Sequence, residues 1–137
     1  MELTRRYRFA ASHILRREEL SEEENLRTFG KCANPKGHGH NYELAISVRG
    51  PVNPLTGCLI AREALDRSVR ERILERLAYR LLNEDPAFAD ALPTAENLVR
   101  FIRGELAEPL RTSSGVRLVG VCVLETRKNM FVWREAA

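Results

Sequence analysis

From Glu2 to Ala11 the sequence ELTRRYRFAA sets Leu3, Arg5, Tyr7 and Phe9 on one parity, and this alternation predicts a strand. Residues Leu15 to Thr28 are charged and nearly free of large apolar side chains, which reads as a solvated loop or a short exposed helix. Beyond them Tyr42, Leu44, Ile46 and Val48 alternate with Glu43, Ala45, Ser47 and Arg49, a second strand that ends at Gly50-Pro51. Val52 to Gly57 is rich in turn residues. Leu65, Val69, Ile73, Leu77 and Leu81 then recur at a spacing of four, predicting a helix from about Arg62 to Leu82 with one apolar stripe. Asn83 to Leu92 has no period. Pro93-Thr94-Ala95-Glu96 opens a second helix with Thr94 as N-cap and Leu98, Phe101, Ile102 and Leu106 facing inward, expected to stop near Pro109. Thr112 to Gly115 reads as a turn, Val116 to Thr126 as a strongly apolar strand, and Asn129 to Trp133 as a last short strand.

Two strands, two helices and two strands make an α+β domain, with four strands covered by two helices on one face. The 137 residues suffice for one such domain, residues 1–137, and are too few for two ordinary ones. Sheet edges left open in this arrangement are a hazard that pairing between subunits removes, so oligomerisation is expected. No uncharged run approaches the ~20 apolar residues of a bilayer span, and Met1 to Arg8 carries charges where a signal peptide would be apolar. A cytoplasmic location without membrane attachment is the resulting expectation. The formal net charge of +3 suits an anionic small molecule, and aromatic residues at 7% show no base-stacking pattern among the basic ones, so no nucleic-acid partner is expected.

The three histidines are His13, His38 and His40. His38-Gly39-His40 stands directly ahead of a strand, where residues i and i+2 point to one side, and His13 at the end of the first strand can add a third imidazole. Three neutral nitrogens suit zinc, with a fourth position left for water or substrate, whose hydroxyl the ion acidifies and polarises. Two other readings stand beside this one. The His-x-His pair can be a chance feature of a loop, or Cys32 can be a fourth ligand that closes the site and makes the zinc structural. The cysteines Cys32, Cys58 and Cys122 are odd in number and lack a CxxC pair, which argues against a disulfide framework. Cys58 and Cys122 sit among apolar residues and read as inert small hydrophobes.

Four segments carry a resemblance: Phe9-Ala10-Ala11-Ser12-His13, Cys32-Ala33-Asn34-Pro35-Lys36-Gly37-His38-Gly39-His40-Asn41-Tyr42, Pro93-Thr94-Ala95-Glu96-Asn97-Leu98 and Val123-Leu124-Glu125-Thr126. In this order they resemble the 6-pyruvoyl-tetrahydropterin synthase family. The five-residue gap between Cys32 and His38 looks more like that branch than like the 6-carboxytetrahydropterin synthases of 7-deazaguanine biosynthesis. The resemblance implies the tunnelling fold (T-fold), an antiparallel ββααββ sheet whose subunits join into barrels, usually as a homohexamer built as a dimer of trimers. It also implies a zinc-dependent lyase of tetrahydrobiopterin biosynthesis acting on 7,8-dihydroneopterin triphosphate. His13, His38 and His40 would bind Zn²⁺ and Glu125 would anchor the pterin by a charge-assisted bidentate contact. Thr94 and Glu96 would shape the pocket, although capping and first-turn charge also explain them. Cys32 would be the catalytic cysteine, with zinc, Lys31 and Lys36 favouring its thiolate.

One stretch departs from the pattern. Where the family reads Leu-Asp-His-x-x-Leu-Asn, this chain has Leu77-Ala78-Tyr79-Arg80-Leu81-Leu82-Asn83, so the Asp-His proton relay is replaced by Ala78 and Tyr79. Ala61 likewise stands where many members carry an acidic or amide residue. A phenol titrating near 10 is a poorer shuttle at neutral pH than an imidazole near 6.5, and such proton transfer is typically worth ~10²–10⁴ in rate. The expectations that follow are Tyr79 as the acid of a slower or altered reaction, entry of Glu75, Asp85 or a partner's side chain, or a zinc- and pterin-binding homologue without turnover. A 6-carboxytetrahydropterin synthase or a side-chain-cleaving variant is the further alternative.

Overall fold

The structure, a computed structural model, describes residues 1–136. Four strands, β1 (Glu2–His13), β2 (His38–Arg49), β3 (Arg117–Leu124) and β4 (Met130–Arg134), form one antiparallel sheet in the order β1-β2-β3-β4. Three helical segments accompany it: α1 (Glu22–Phe29), α2 (62–77) and α3 (Ala95–Ser114). The ββααββ order expected from the periodicity holds, with α1 added inside the β1–β2 connection. Its Ser21 hydroxyl accepts from the Glu24 N–H and the Glu24 carboxylate accepts from the Ser21 N–H, a reciprocal cap that makes a helix of a stretch with little apolar content.

Helices α2 and α3 cover one sheet face. Leu44, Ile46 and Val48 of β2 and Val121 and Val123 of β3 meet Leu65, Val69, Ile73 and Leu77 of α2 and Leu98, Ile102, Leu106 and Leu110 of α3, all of them fully buried. Each such aliphatic side chain contributes roughly 1.5–3 kcal/mol. A strict spacing of four drifts by about 40° per step on a helix of 3.6 residues per turn. The drift is absorbed within α2 by a π-helical turn over Arg70–Leu74, where the Glu75 N–H bonds the Arg70 carbonyl five residues back. Spacing and local unwinding thus keep Val69, Ile73 and Leu77 on the sheet.

Two helix ends differ from expectation. α2 stops at Leu77 rather than Leu82, because the Tyr79 N–H bonds the Ala10 carbonyl of β1 at 2.7 Å instead of turning back into the helix. α3 passes through Pro109 to Ser114, so Thr112 to Ser114 is helix rather than turn. Burial of Leu110 and a left-handed Gly115 (φ 66°), whose N–H bonds the Arg111 carbonyl, outweigh the one donor that proline removes. Cys58 is exposed in a turn next to Thr56, not among apolar neighbours as expected, and Cys122 is half-buried on the outer sheet face, where it pairs with Ala45.

Beyond α2, Asp85 receives two hydrogen bonds from Arg76, at 2.6 and 2.7 Å, and a third from the Ala87 N–H. The Arg76 guanidinium holds the Asp85 carboxyl below the ordinary carboxylate range. A depressed folded-state pKa gives stability that is present above the unfolded value and lost as pH falls through the folded one. Asp85→Asn is therefore expected to lower unfolding free energy at pH 7 by about 1–3 kcal/mol. Denaturant titrations from pH 7 to 2 should also show the gap to the parent closing below about pH 4. An equal gap at pH 7 and pH 2 would contradict this.

Candidate functional site

The site lies at one end of the β1–β2 pair. Register sets Phe9 opposite Tyr42, Ala11 opposite His40 and His13 opposite His38, and alternation turns all six toward the helices. His13 is fully buried, and its Nδ1 donates to the Pro93 carbonyl at 2.9 Å, just ahead of the N-cap of α3. A carbonyl can only accept, so Nδ1 carries the proton and the Nε2 lone pair faces the His40 Nε2 at 3.1 Å. The Tyr42 hydroxyl lies 3.4 Å from the same Nδ1, and its ring stacks on Phe9. The His38 ring stands edge-on to that of His40, with centroids 4.8 Å apart.

Cys32 reaches the cluster from the 3₁₀ turn Gly30–Ala33, its Sγ 3.5 Å from the His40 Nε2. Ligand atoms of His13, Cys32 and His40 all lie within 4.8 Å of one another. Bond lengths of 2.0–2.1 Å to imidazole would put two tetrahedral zinc ligands about 3.3 Å apart. The observed 3.1 Å between the His13 and His40 Nε2 atoms suits such an ion. Glu125, following β3, brings Oε1 to 3.7 Å from the His40 Nε2 and 3.9 Å from the His13 Nε2. The Thr94 hydroxyl accepts from the Asn97 N–H, and Glu96 is exposed in the first turn of α3, so both do the work of helix capping.

Burial sets the charge state of the protein's own groups. It lowers the pKa of His13, and together with the two neighbouring imidazoles it brings His40 down to about 4. Burial, reinforced by the Glu125 carboxylate, pushes the Cys32 thiol up in the metal-free chain, and Lys31 and Lys36 are exposed. The chain supplies two neutral imidazoles and a thiol beside a carboxylate, a donor set that could hold a metal ion.

Tyr79 stands outside this cluster. Its side chain is 90% exposed and its φ is +60°, the one left-handed non-glycine residue among those described. It shares the rim of a groove of about 290 Å³ with His40, Asn41 and Arg80. His38 opens on a second groove, of about 580 Å³, bounded by Arg16, Lys31 and Asn34. Neither Tyr42 nor Asn83 was singled out by sequence reasoning, although each closes a quoted motif. Asp85 and Glu75, named as substitutes for the missing histidine, are held by Arg76 and Arg70.

A sequence model described as 6-pyruvoyl tetrahydropterin synthase matches residues 2–136. The chain belongs to the 6-pyruvoyl tetrahydropterin synthase family. The human 6-pyruvoyl tetrahydrobiopterin synthase is 41% identical over 134 residues, 97% of this chain and 90% of the human one. The Drosophila melanogaster protein of the same name is 39% identical over 96% of this chain and 78% of its own. The solved structure of the Caenorhabditis elegans 6-pyruvoyl tetrahydropterin synthase superposes with a TM-score of 0.82 at 31% identity, covering 99% of this chain and 96% of that one. The fold is thus the T-fold of the family.

Membership sharpens the question of Tyr79. Left-handed backbone costs a non-glycine residue about 1–3 kcal/mol, against the roughly 0.5–1 kcal/mol of extra chain entropy that glycine loses on folding. Tyr79→Gly is accordingly expected to leave stability unchanged or raise it by up to about 1 kcal/mol, measured by urea unfolding. A clear loss would mean that the phenol itself holds the fold.

Proposed function

We propose that this chain is a zinc-dependent pterin enzyme that eliminates triphosphate from 7,8-dihydroneopterin triphosphate with internal redox of the side chain. The observation that carries the reading is the convergence of His13, His40 and Cys32, with the Glu125 carboxylate against the two imidazoles. In this reading His13 and His40, with His38 beside them, hold the ion. Glu125 accepts paired hydrogen bonds from the guanidine-like edge of the pterin, a planar contact that orients the ring. Thr94 and Glu96 border the pterin side of the pocket. Cys32, acting as thiolate, takes a proton from the substrate side chain to become the thiol and returns to the thiolate when it passes that proton on. The ion supplies a Lewis acid that polarises the side-chain hydroxyls and draws the thiol toward thiolate. We also propose that the chain works as a homo-oligomer, a dimer of trimers. β4 and the first part of β1, ahead of Ala10, are open edges, and Met130 and Val132 leave apolar surface on the outer sheet face. No helix among the described residues is long and apolar enough to cross a membrane.

A second reading keeps zinc and pterin binding without the family's turnover. It is favoured by Ala78, which has no titratable group, and by Tyr79, whose phenol points into solvent. Metal-analysed protein incubated with dihydroneopterin triphosphate is expected to release triphosphate and form a 6-pyruvoyl product, with Cys32→Ala retaining zinc and losing at least ~10²-fold in rate. A 6-carboxy or side-chain-cleaved product would identify the variant reaction. Tight pterin binding without conversion would establish the second reading, and loss of zinc in Cys32→Ala would make the thiol a ligand. Light scattering is expected to give six chains per particle, and a monomer would overturn the assembly.

A further inference from the structure

The residues after α2 run along β1 and are laced to it. The Tyr79 N–H bonds the Ala10 carbonyl at 2.7 Å, and the Ser12 N–H bonds the Arg80 carbonyl at 3.0 Å. Leu81 forms a parallel bridge with Ser12. A side chain supplies the last rung. The Asn83 Oδ1 accepts from the Ile14 N–H at 2.8 Å, and its Nδ2 donates to the Ile14 carbonyl at 2.8 Å. Both polar groups of one main-chain residue are therefore held by one carboxamide, 69 positions away in sequence.

Ile14 follows His13, and the next residue, Leu15, donates its N–H to the Cys32 carbonyl at 2.8 Å. Three successive residues thus bear the buried imidazole, the carboxamide clamp and the strut to the cysteine. We propose that Asn83 is a positioning residue for the His13–Cys32–His40 cluster, acting through the main chain of Ile14. It fixes the path along which His13 leaves β1, and through Leu15 it fixes the turn that carries the Cys32 thiol. The carboxamide offers, on two atoms of one planar group, both the acceptor and the donor that Ile14 requires. A carboxylate at this position would set an oxygen against the Ile14 carbonyl, and a methyl group would leave both partners unbonded.

This inference rests on the reading of the cluster as metal-binding, and the experiment separates the two. Full-length parent, Asn83→Asp, Asn83→Ala and Asp66→Asn are compared. The last removes the charge and the second acceptor that Arg5 meets near the other end of β1 and so reports a merely structural cost. Zinc affinity is measured by competition with a chromophoric chelator, and the rate of Cys32 modification by a disulfide reagent is followed by peptide mass mapping. Both Asn83 variants are expected to bind zinc about tenfold more weakly than the parent. Their Cys32 should also react several-fold faster in the metal-free protein, whereas Asp66→Asn matches the parent in both. Asn83 variants that match Asp66→Asn in both measurements would overturn the role of Asn83. A parent that binds no zinc would overturn the metal reading alone, since Cys32 reactivity still tests the clamp; if Asn83→Ala does not fold, Asn83→Asp carries the comparison.

Discussion

The register between β1 and β2 is the constraint on which the site depends. The two strands pair over twelve positions, from Glu2 opposite Arg49 to His13 opposite His38. Because side chains alternate with a period of two, a slip of one residue would turn every one of them to the other face. Leu44, Ile46 and Val48 cannot make that move without leaving a core in which they are fully buried. Apolar burial at one end of the ladder therefore determines, several residues away, that His13, His38 and His40 share one face of the β1–β2 pair. The chemistry of the site is fixed by packing that takes no part in it.

What that packing assembles is a set of donor atoms close enough to share one ion. Two Nε2 atoms face each other at 3.1 Å, one of them a lone pair by virtue of the Pro93 carbonyl behind it, and a buried carboxylate stands within 4 Å of both. Burial keeps the imidazoles neutral and the thiol protonated, the states in which each is least costly to enclose. A divalent cation would reverse the preference of the thiol and balance the carboxylate at once.

The strands, the α2 stripe and the three histidines were legible in the sequence because each rests on a period or a rare residue. The end of α2 was not, since Leu81 continues the spacing of four while the backbone at Tyr79 has already bonded to Ala10, a partner invisible to any local pattern. Pro109 misled for the converse reason: a proline removes one donor, and burial of Leu110 with a glycine cap six residues on outweighs it. The influence of Glu125 on the Cys32 thiol was not legible either, because the two are more than ninety residues apart in sequence and meet only through the fold. Asn83 was visible as a motif position but not as a clamp, because its partner Ile14 is joined to it only through the fold.

Retention of the brace explains how Ala78 and Tyr79 came to be tolerated. The backbone there is held by its own N–H and by the carbonyl of Arg80, neither of which depends on the side chains at 78 and 79. Ala78 packs its methyl group against the core, a contact that an aspartate would make only by placing a carboxylate beside apolar neighbours. Tyr79 occupies a left-handed position that strains any residue with a Cβ, although histidine, asparagine and aspartate adopt it several-fold more readily than most. Neither replacement disturbs the cluster or the strand that carries it. His13, His38 and His40 are coupled to the core through the register of β1 and β2, whereas Tyr79 is tied to β1 through its main chain alone. The side chain at position 79 is thus free to change while the cluster stays assembled.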